Sequence, residues 1–394
     1  MKSLLRKIVP KFLIGWYHLL LAFAGAFFCG FPSRKLLVVG VTGTNGKSTT
    51  VDLISRILEA SGRKTASASS IRFKIGREEE PNTLKMTMPG RFKLQKFLKK
   101  AVGQGCSCAV LEVTSEGIRQ SRHRFIDFEA VVFTNLSPEH IESHGGFENY
   151  KKAKGALFSV CKKIHVVNLD DQNAGYFWDF PAEKKEGYGI KDLQKYNPFD
   201  LKLPGEFNTY NALAALATGS VLGLDPETCK KALQEVTLIP GRMETVVSNP
   251  FKVVVDYAHT PDSLEKVYGT LKKEGSRLIC VLGSCGGGRD KWKRPRMGDI
   301  AASFCDKIIL TNEDPYDEPP MEIIEDIEKG ISNFSELKKV LDRRKAIAEA
   351  LSSARNNDTV VVTGKGSEMW MCIAKGKKIP WSDREIILEE MKKI

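Results

Sequence analysis

Short apolar runs alternate with longer segments of helical periodicity along most of the chain. In the first half, four such runs predict strands, at 36–41, 108–113, 130–134 and 164–168. Helical segments lie between or after them, notably 47–61, 147–161 and 208–222. Apolar runs this short, separated by helices, are typical of parallel strands that are buried on both faces. The pattern therefore predicts an α/β fold built on a parallel sheet.

A second series of the same kind begins after a break at 238–241, where Pro240 and Gly241 interrupt the chain. Its predicted elements are, in order, strand 252–256, helix 263–273, strands 277–283 and 307–311, helix 321–330, strand 359–363 and a helix from 383. We therefore expect a central α/β domain at 36–239 and a C-terminal α/β domain of dinucleotide-fold type at 240–394.

The segment that precedes the first predicted strand, 1–35, has a character of its own. Residues 12–31 include no charged side chain and one imidazole, His18. Basic residues flank the stretch on both sides, at Lys2, Arg6, Lys7, Lys11, Arg34 and Lys35. The length reaches the roughly 20 residues that cross a bilayer. A helix packed on the next domain, or lying in a membrane interface, explains the same pattern. The sequence leaves these two interpretations open.

Charge and cysteine usage narrow the class of protein. The 394 residues include 60 basic and 48 acidic ones, for a net charge of +12, which suits phosphorylated small molecules, anionic lipid or nucleic acid. The basic residues are scattered and no aromatic RNA-binding motif is present, so we expect no nucleic-acid partner. Nine cysteines without a Cys-x-x-Cys pair indicate reduced thiols. We therefore expect a cytoplasmic protein, with membrane association through 12–31 as an open alternative.

A glycine-rich loop between the first predicted strand and the first long helix carries the strongest chemical signal. It predicts a nucleotide triphosphate site made by Gly43, Thr44, Asn45, Gly46, Lys47, Ser48 and Thr49. In such a loop the backbone N–H groups surround phosphate oxygens, the lysine reaches the β- and γ-phosphates, and the serine hydroxyl binds Mg²⁺. Val41 breaks the strict spacing of the common phosphate-loop motif, but the strand before and the helix after are as that motif requires.

The loop and a series of later motifs resemble the Mur ligases, the ATP-dependent amide-bond-forming enzymes of peptidoglycan synthesis. The resemblance is to the MurE type, and it covers roughly residues 22–394. The motifs that carry it are GTNGKS at 43–48, TMP at 87–89, EVTSE at 112–116, FTNLSPEH at 133–140, YKKAK at 150–154, PGRME at 240–244, DYAHTPD at 256–262, GGGRD at 286–290, KRP at 293–295, GKGSE at 364–368 and DRE at 383–385.

This resemblance implies a two-step reaction with ATP and Mg²⁺ as cofactors. A substrate carboxylate takes the γ-phosphate to form an acyl phosphate, and an amine then displaces phosphate to form the amide. The resemblance places Lys47, Glu112, His140 and Lys154 in the catalytic site, with Ser48, Glu112 and His140 as Mg²⁺ ligands and Lys154 carbamylated. Without the resemblance, Glu112 could be a solvated carboxylate, His140 a core or surface histidine and Lys154 a helix-surface lysine.

The resemblance also assigns binding roles to residues on either side of this centre. Asn208, Asn211, Arg242 and Asp256 match ATP contacts, although each could instead be a helix cap or a surface pair. The muramyl dipeptide would meet Thr87, Ser115 and Arg122. The incoming amino acid would meet Asn312, Asp314 and Glu368, which lie in or near the motifs 312–316 and 364–368.

Three departures from the family pattern concern the substrate side. Only 35 residues precede the first ATPase strand, where the family has a UDP-binding domain, so 1–35 resembles a remnant of that domain. The motif Asp-Asn-Pro-Arg is replaced by Glu313-Asp314-Pro315-Tyr316, which removes an arginine able to bind a second carboxylate. Ser367 and Glu116 stand where the pattern has histidines.

The sequence therefore predicts a ligase that adds an amino acid, L-lysine or meso-diaminopimelate, to UDP-MurNAc-L-Ala-D-Glu. Two alternatives stay open at this point. One is a ligase of the same superfamily with another carboxylate acceptor, of the folylpolyglutamate or cyanophycin type. The other is a membrane-attached ATPase without ligase activity. The substrate-side residues Asp262, Glu368 and Arg384 argue against that ATPase, because a switch protein has no need of them.

Overall fold

The computed structural model describes residues 11–84 and 86–394. The first ten residues of the expected N-terminal segment, with Lys2, Arg6 and Lys7, lie outside the described residues, as does Lys85. The chain separates into two compact units. The first comprises residues up to Leu136, Glu148–Leu201 and Asn208–Glu235, and the second comprises Ser137–Phe147, Lys202–Phe207 and Val236–Ile394.

The first unit is built on an eight-stranded sheet in the order β4-β3-β2-β5-β1-β6-β7-β8. The neighbouring strands in the series β2-β5-β1-β6-β7-β8 are parallel. Strands β3 and β4 extend the sheet beyond β2 as antiparallel strands. The strands are β1 (Leu37–Thr42), β2 (Thr65–Ala68), β3 (Arg72–Ile75), β4 (Glu78–Pro81), β5 (Cys108–Glu112), β6 (Phe128–Phe133), β7 (Ile164–Asn168) and β8 (Lys184–Tyr188). The four predicted strands form the centre of this sheet.

The second unit contains a six-stranded sheet in the order β13-β12-β11-β14-β10-β9, in which β9 is antiparallel to its neighbour. A separate antiparallel pair is formed by β15 and β16. The strands are β9 (Glu244–Val247), β10 (Lys252–Asp256), β11 (Leu278–Leu282), β12 (Lys307–Leu310), β13 (Leu337–Lys339), β14 (Thr359–Thr363), β15 (Trp370–Ile373) and β16 (Lys377–Pro380).

Helices connect most of the parallel strands, so the predicted α/β fold class is confirmed. In chain order they are α1 (Lys11–Cys29), α2 (Lys47–Ala60), α3 (Arg91–Gly103), α4 (Ser115–Arg119), α5 (Ile141–His144), α6 (Phe147–Val160), α7 (Ala174–Trp178), α8 (Glu206–Val221), α9 (Pro226–Gln234), α10 (Pro261–Leu271), α11 (Lys293–Phe304), α12 (Pro320–Glu328), α13 (Arg343–Ser353) and α14 (Asp383–Met391).

Alternate residues of the central strands supply two separate apolar cores, one on each face of the second sheet. Val254 and Val361 belong to one cluster, whereas Val253, Val255 and Val362 belong to the other. Side chains point to opposite faces at successive strand positions, so a strand covered by helices on both faces must be apolar throughout. This explains why the strands read as continuous apolar runs in the sequence.

A buried ion pair ties α13 to the start of α14. The Arg343 Nε and Nη2 atoms donate to the two Asp383 carboxylate oxygens at 2.9 and 2.7 Å, and neither side chain has exposed area. Arg343 also donates to the Thr363 carbonyl at 2.8 Å, and the Trp381 indole N–H donates to Asp383 at 2.8 Å. Removal of Asp383 would leave the buried guanidinium with carbonyl acceptors but without the carboxylate that it contacts.

We expect Asp383→Ala to destabilise the second unit by about 3 kcal/mol, because the Arg343 guanidinium loses its counter-charge. Calorimetric unfolding of the purified protein measures this loss. Glu389→Ala is a matched control, since Glu389 pairs with Arg344 at 2.6 Å but is 54% exposed. The control should cost less than about 1 kcal/mol. Equal effects in the two variants would contradict the importance of the buried pair.

The N-terminal helix α1 packs on α3 in the first unit. Ala22 and Ala26 are buried there, and a Cβ atom on Gly25 would lie 3.5 Å from the Phe92 backbone. The structure thus supports the packed-helix interpretation of residues 12–31. Within the described ranges, no helix combines the length and the apolar character that a membrane crossing requires.

Candidate active site

The predicted phosphate loop connects the end of β1 to the start of α2. Gly43 and Gly46 have φ angles of +152° and +79°, which favour glycine. A Cβ atom on Gly43 would collide with the Thr134 hydroxyl, and one on Gly46 would collide with the Asn211 carboxamide. Both glycines are therefore required by conformation and by space, as a loop that exposes its N–H groups to phosphate needs.

Residues at the end of β6 hold the loop in this shape. The Asn45 N–H donates to the Asn135 side chain at 2.9 Å, and the Thr44 N–H donates to the Asn135 carbonyl at 2.8 Å. The Thr134 hydroxyl donates to the Asn45 carbonyl at 2.8 Å. Thr134 and Asn135 lie in the motif 133–140, but sequence reasoning gave them no role. The structure shows that they support the loop.

Ser48 and Glu112, two of the three predicted Mg²⁺ ligands, lie in direct contact. The Ser48 hydroxyl donates to Glu112 Oε2 at 2.7 Å, and Glu112 is 4% exposed. Ser70 completes the group, with its N–H 2.9 Å from the same carboxylate oxygen and its hydroxyl 2.7 Å from that of Ser48. Hydroxyl and carboxylate oxygens are the donors that Mg²⁺ prefers, so Ser48 and Glu112 fit the ion.

Lys47 lies at the first position of α2 beside this group. Its Nζ atom donates to the Thr44 carbonyl at 2.6 Å and stands 3.9 Å from Glu112 Oε1. The ammonium group is thus held at the phosphate loop by a carbonyl of the loop itself. A cation in this position can neutralise phosphate oxygens, as the motif predicts.

Lys154 is buried under the other end of the loop. Its Nζ atom donates to the Gly43 carbonyl at 2.6 Å and lies 4.6 Å from the centre of the Tyr150 ring. The Tyr150 hydroxyl is 3.0 Å from the Thr44 hydroxyl, which connects α6 to the loop a second time. Lys154 is 2% exposed, so it is not the helix-surface lysine that the sequence left as an alternative.

Asn208 and Asn211, predicted to contact ATP, are both buried on α8. The Asn211 carboxamide donates to Asn208 at 3.1 Å and accepts from the Thr50 hydroxyl at 3.3 Å. Asn211 therefore links α8 to α2 directly behind Gly46. A role in holding the loop is visible in these contacts, and the predicted adenine contact stays a prediction.

His140, the third predicted metal ligand, belongs to the second unit and begins α5 with a left-handed φ of +57°. Its segment is anchored within that unit. Asp290 accepts from the N–H groups of Ile141 and Glu142 at 3.0 Å each, and Lys293 pairs with buried Glu139 at 2.9 Å. Among the described residues no three His, Cys, Asp or Glu side chains are grouped as a metal site.

Arg242 and Asp256 lie in the second unit, where both have internal contacts. The Arg242 guanidinium stacks 4.4 Å from the centre of the Tyr257 ring. The Asp256 carboxylate accepts from the N–H groups of Met243 and Ala258 at 2.7 and 2.6 Å. Burial raises the pKa of Asp256 above its ordinary value, and Arg242 opposes this shift. Asp256 thus fixes the turn that presents Arg242.

The three residues predicted to bind the dipeptide lie near one another in the first unit. Arg122 donates to the carbonyl of Met88, the residue after Thr87, and to the Gln120 side chain at 2.7 Å. Met88 packs against Gly117 on α4, the helix that Ser115 begins. Burial lowers the pKa of Arg122, with Arg91 adding to the effect. The structure therefore brings together the segments that carry Thr87, Ser115 and Arg122.

Two of the three residues predicted to bind the amino acid, Asp314 and Glu368, contact a buried lysine that sequence reasoning missed. Lys365 donates to Asp314 at 2.9 Å, to Glu368 at 2.7 Å and to the Trp370 carbonyl at 2.7 Å. Asp314 also accepts from the Cys372 N–H at 2.7 Å. Lys365 belongs to the motif 364–368, and its full burial between two carboxylates was not visible in the sequence.

Glu313 stands beside this cluster and is buried. The Cys285 thiol donates to its Oε1 atom at 2.9 Å, and its Oε2 atom is buried without a hydrogen-bond partner in the described part of the chain. Burial raises the pKa of Glu313, and the neighbouring Asp314 adds to the shift. Asn312 lies next to it, with its amide 3.8 Å from the Met371 sulfur.

Comparison with known families identifies two domains in the chain. The family model described as "Mur ligase middle domain" matches residues 41–196. The model described as "Mur ligase, glutamate ligase domain" matches residues 241–366. The two matches cover most of the first unit's sheet and most of the second unit.

Curated relatives match over nearly the whole chain. A UDP-N-acetylmuramoyl-L-alanyl-D-glutamate–2,6-diaminopimelate ligase of Caldanaerobacter subterraneus is 38% identical over 383 residues, which are 91% of this chain and 78% of the relative. The ligase of the same name from Aquifex aeolicus is 38% identical and covers 92% and 79%.

Solved structures give a consistent result. One of a UDP-N-acetylmuramoyl-L-alanyl-D-glutamate–2,6-diaminopimelate ligase is 30% identical, with a TM-score of 0.59 over 91% of this chain and 78% of that one. The folylpolyglutamate synthase of Mycobacterium tuberculosis, complexed with ADP, is 18% identical, with a TM-score of 0.71 over 88% and 91%. The second likeness concerns the fold alone.

Proposed function

Because this chain belongs to the Mur ligase family, we propose that it joins a diamino acid, L-lysine or meso-diaminopimelate, to UDP-MurNAc-L-Ala-D-Glu. It is an ATP-dependent ligase that forms an amide between an acid and an amino acid. The choice of substrate rests on one observation: over 91% of its length the chain is 38% identical to a curated ligase named for UDP-N-acetylmuramoyl-L-alanyl-D-glutamate and 2,6-diaminopimelate. The product is a precursor of peptidoglycan.

The residues of the first unit suit the activation step. The loop N–H groups and Lys47 hold the phosphates, and Ser48 and Glu112 are suited to hold Mg²⁺. When bound, the ion neutralises charge on the phosphates. The dipeptide carboxylate attacks the γ-phosphorus and ADP leaves. The neutral amine then attacks the acyl carbon, the bond from that carbon to the phosphate oxygen breaks, and the proton that the nitrogen gives up leaves with the phosphate. As the family pattern implies, we propose that His140 is a further ligand of the ion and that a carbamate on Lys154 helps to position it.

An amino-acid-dependent assay of phosphate release tests the proposal. The purified protein is incubated with ATP, Mg²⁺ and UDP-MurNAc-L-Ala-D-Glu, and L-lysine or meso-diaminopimelate is added in separate reactions. The mass of the product is measured by mass spectrometry. We expect phosphate release only with dipeptide and amino acid together, and a product heavier by one amino-acid residue. Phosphate release without amino acid, or with another acceptor only, would contradict the proposal.

The amino-acid end of the site differs from the family pattern at Tyr316. Its backbone is left-handed, with φ at +52°, and its ring packs against Gly287. An arginine at this position could hold a second carboxylate with two parallel hydrogen bonds, whereas a phenol offers one donor. L-Lysine has no second carboxylate, so Tyr316 favours lysine over meso-diaminopimelate relative to the arginine-bearing pattern.

We expect Tyr316→Arg to raise kcat/KM for meso-diaminopimelate relative to that for L-lysine by about tenfold or more, since a bidentate ion pair is gained. Competition between the two amino acids in one reaction, read by product mass, measures the ratio. Tyr316→Phe serves as a control that removes the hydroxyl without adding charge, and it should leave the ratio within about threefold. An unchanged ratio in Tyr316→Arg would place the specificity elsewhere.

A further inference from the structure

The side chains of α1 are distributed in an unusual way. The residues that it buries against the first unit are small, namely Ala22, Gly25, Ala26 and Cys29. Three larger residues, Ile14, Leu19 and Leu21, are half-buried. Seven large apolar residues are exposed instead, with exposed fractions between 45% and 72%, at Leu13, Trp16, Tyr17, Leu20, Phe23, Phe27 and Phe28. A helix that stabilises a protein by packing normally buries its large side chains and exposes polar ones.

These seven residues form one continuous surface, which we call the apolar face of α1. At 100° per residue they occupy an arc of roughly 140°, opposite the buried small residues. The face extends beyond the helix, because the half-exposed Phe125 ring meets that of Phe23 at 5.3 Å between centres. Contiguous exposed apolar surface of this kind marks an interaction site.

The surroundings of the face are mostly basic, although Asp127 is exposed two residues after Phe125 and pairs with Lys163. Residues 1–51 include no acidic residue, and α3, on which α1 packs, has five basic residues and no acidic one. Exposed basic side chains stand on α3, just after α1 and next to Phe125, at Lys93, Lys96, Lys99, Lys100, Arg34, Lys35 and Arg124. A second copy of this chain would bring the same positive charge to the face, which disfavours self-association.

We propose that the apolar face of α1 docks on an anionic lipid bilayer surface, with the helix lying in the plane of the interface. Large apolar residues flanked by lysine and arginine are the composition of helices that bind in this way. Trp16 and Tyr17, exposed at one end of the face, are the residue types that favour the level of the headgroups. The proposal is independent of the amino acid that the ligase uses.

Sedimentation with lipid vesicles tests the proposal on the full chain. We expect the protein to sediment with vesicles of phosphatidylglycerol and phosphatidylcholine, and at least about tenfold less with phosphatidylcholine alone. Raising the salt concentration should weaken the binding, because the attraction is partly electrostatic. The variant Lys93→Gln/Lys96→Gln/Lys99→Gln should lose most of the preference for anionic lipid.

The decisive variant is Trp16→Glu/Leu20→Glu, which places two negative charges on the face. It should lower the vesicle-bound fraction by about tenfold or more. The control Met321→Glu/Ile394→Glu makes the same charge change at exposed apolar residues of the second unit and should bind as the unaltered chain does. Unchanged ligase activity without vesicles, and an unchanged melting temperature, would show that both variants are folded.

Three results would overturn the proposal. One is an unaltered chain that does not bind anionic vesicles. Another is equal binding by the Trp16→Glu/Leu20→Glu variant. The third is a dimer in gel filtration that this variant dissociates, without any binding to vesicles, since the face would then belong to a second copy of the chain.

Discussion

Replacing Lys47 with alanine should lower amino-acid-dependent phosphate release by about 10³-fold or more. Its ammonium group lies 3.9 Å from Glu112 and is held at the loop by the Thr44 carbonyl. A cation fixed in this place stabilises the charge that develops on the phosphates during transfer. Such a group lowers the activation free energy by about 4 kcal/mol or more. Steady-state phosphate release with both substrates saturating measures the effect.

Lys64→Ala is the matched control for this variant. Lys64 is exposed on the same unit, where its Nζ atom donates to the Gln104 carbonyl. Its loss should change the rate by less than about twofold. Binding of a fluorescent ATP analogue separates weaker nucleotide binding from a slower reaction. A Lys47→Ala variant within tenfold of the unaltered rate would refute the assignment of the loop as the ATP site.

Lys154→Ala should lose about 10³-fold in activity and recover part of it when a short carboxylate such as acetate or propionate is added. The expected loss follows from the position of Lys154, buried beneath the loop at the Gly43 carbonyl. The expected recovery follows from the proposed carbamate, which forms when the lysine amine bonds to CO₂ and releases a proton. A free carboxylate can enter the space that the variant opens and supply the same negative group.

Rescue distinguishes the carbamate from a purely structural lysine. If Lys154 only braces the loop through its hydrogen bond to Gly43, added carboxylates will restore nothing. Full activity of Lys154→Ala would exclude both roles. Lys152→Ala, an exposed neighbour on α6, should behave as the unaltered chain does. The mass of the intact protein, measured without acid, reports the carbamate directly.

The strands were the easiest part of the fold to predict. Residues 37–41 of β1 and 108–111 of β5 carry no polar side chain, because helices cover both faces of the sheet. This burial leaves a direct mark in the sequence. The edge strands β3, β4 and β13 lack that mark. β4 is Glu78–Pro81, polar and exposed throughout, and its pairing depends on backbone hydrogen bonds that no side-chain pattern records.

In the candidate site, too, some contacts were predictable from the sequence and others were not. The contact between Ser48 and Glu112 was predictable, because the start of α2 and the end of β5 meet at the carboxyl edge of one parallel sheet. Ser70 was not, since it comes from a turn with no motif and reaches the site only because β2 is adjacent to β5. The burial of Lys365 was also hidden, because its partners Asp314 and Glu368 are far from one another along the chain. The domain boundary near residue 240 stays a prediction.

The pairing of Arg343 with Asp383 has a consequence for how the protein is made. Arg343 leaves the ribosome about forty residues before its counter-ion does, since the chain order is fixed by the sequence. Until then the second unit would have to bury this guanidinium without its carboxylate partner, at a cost of several kcal/mol. Chains released from the ribosome that end before Asp383 should therefore stay open and be degraded by proteases, whereas released chains that include α14 become resistant.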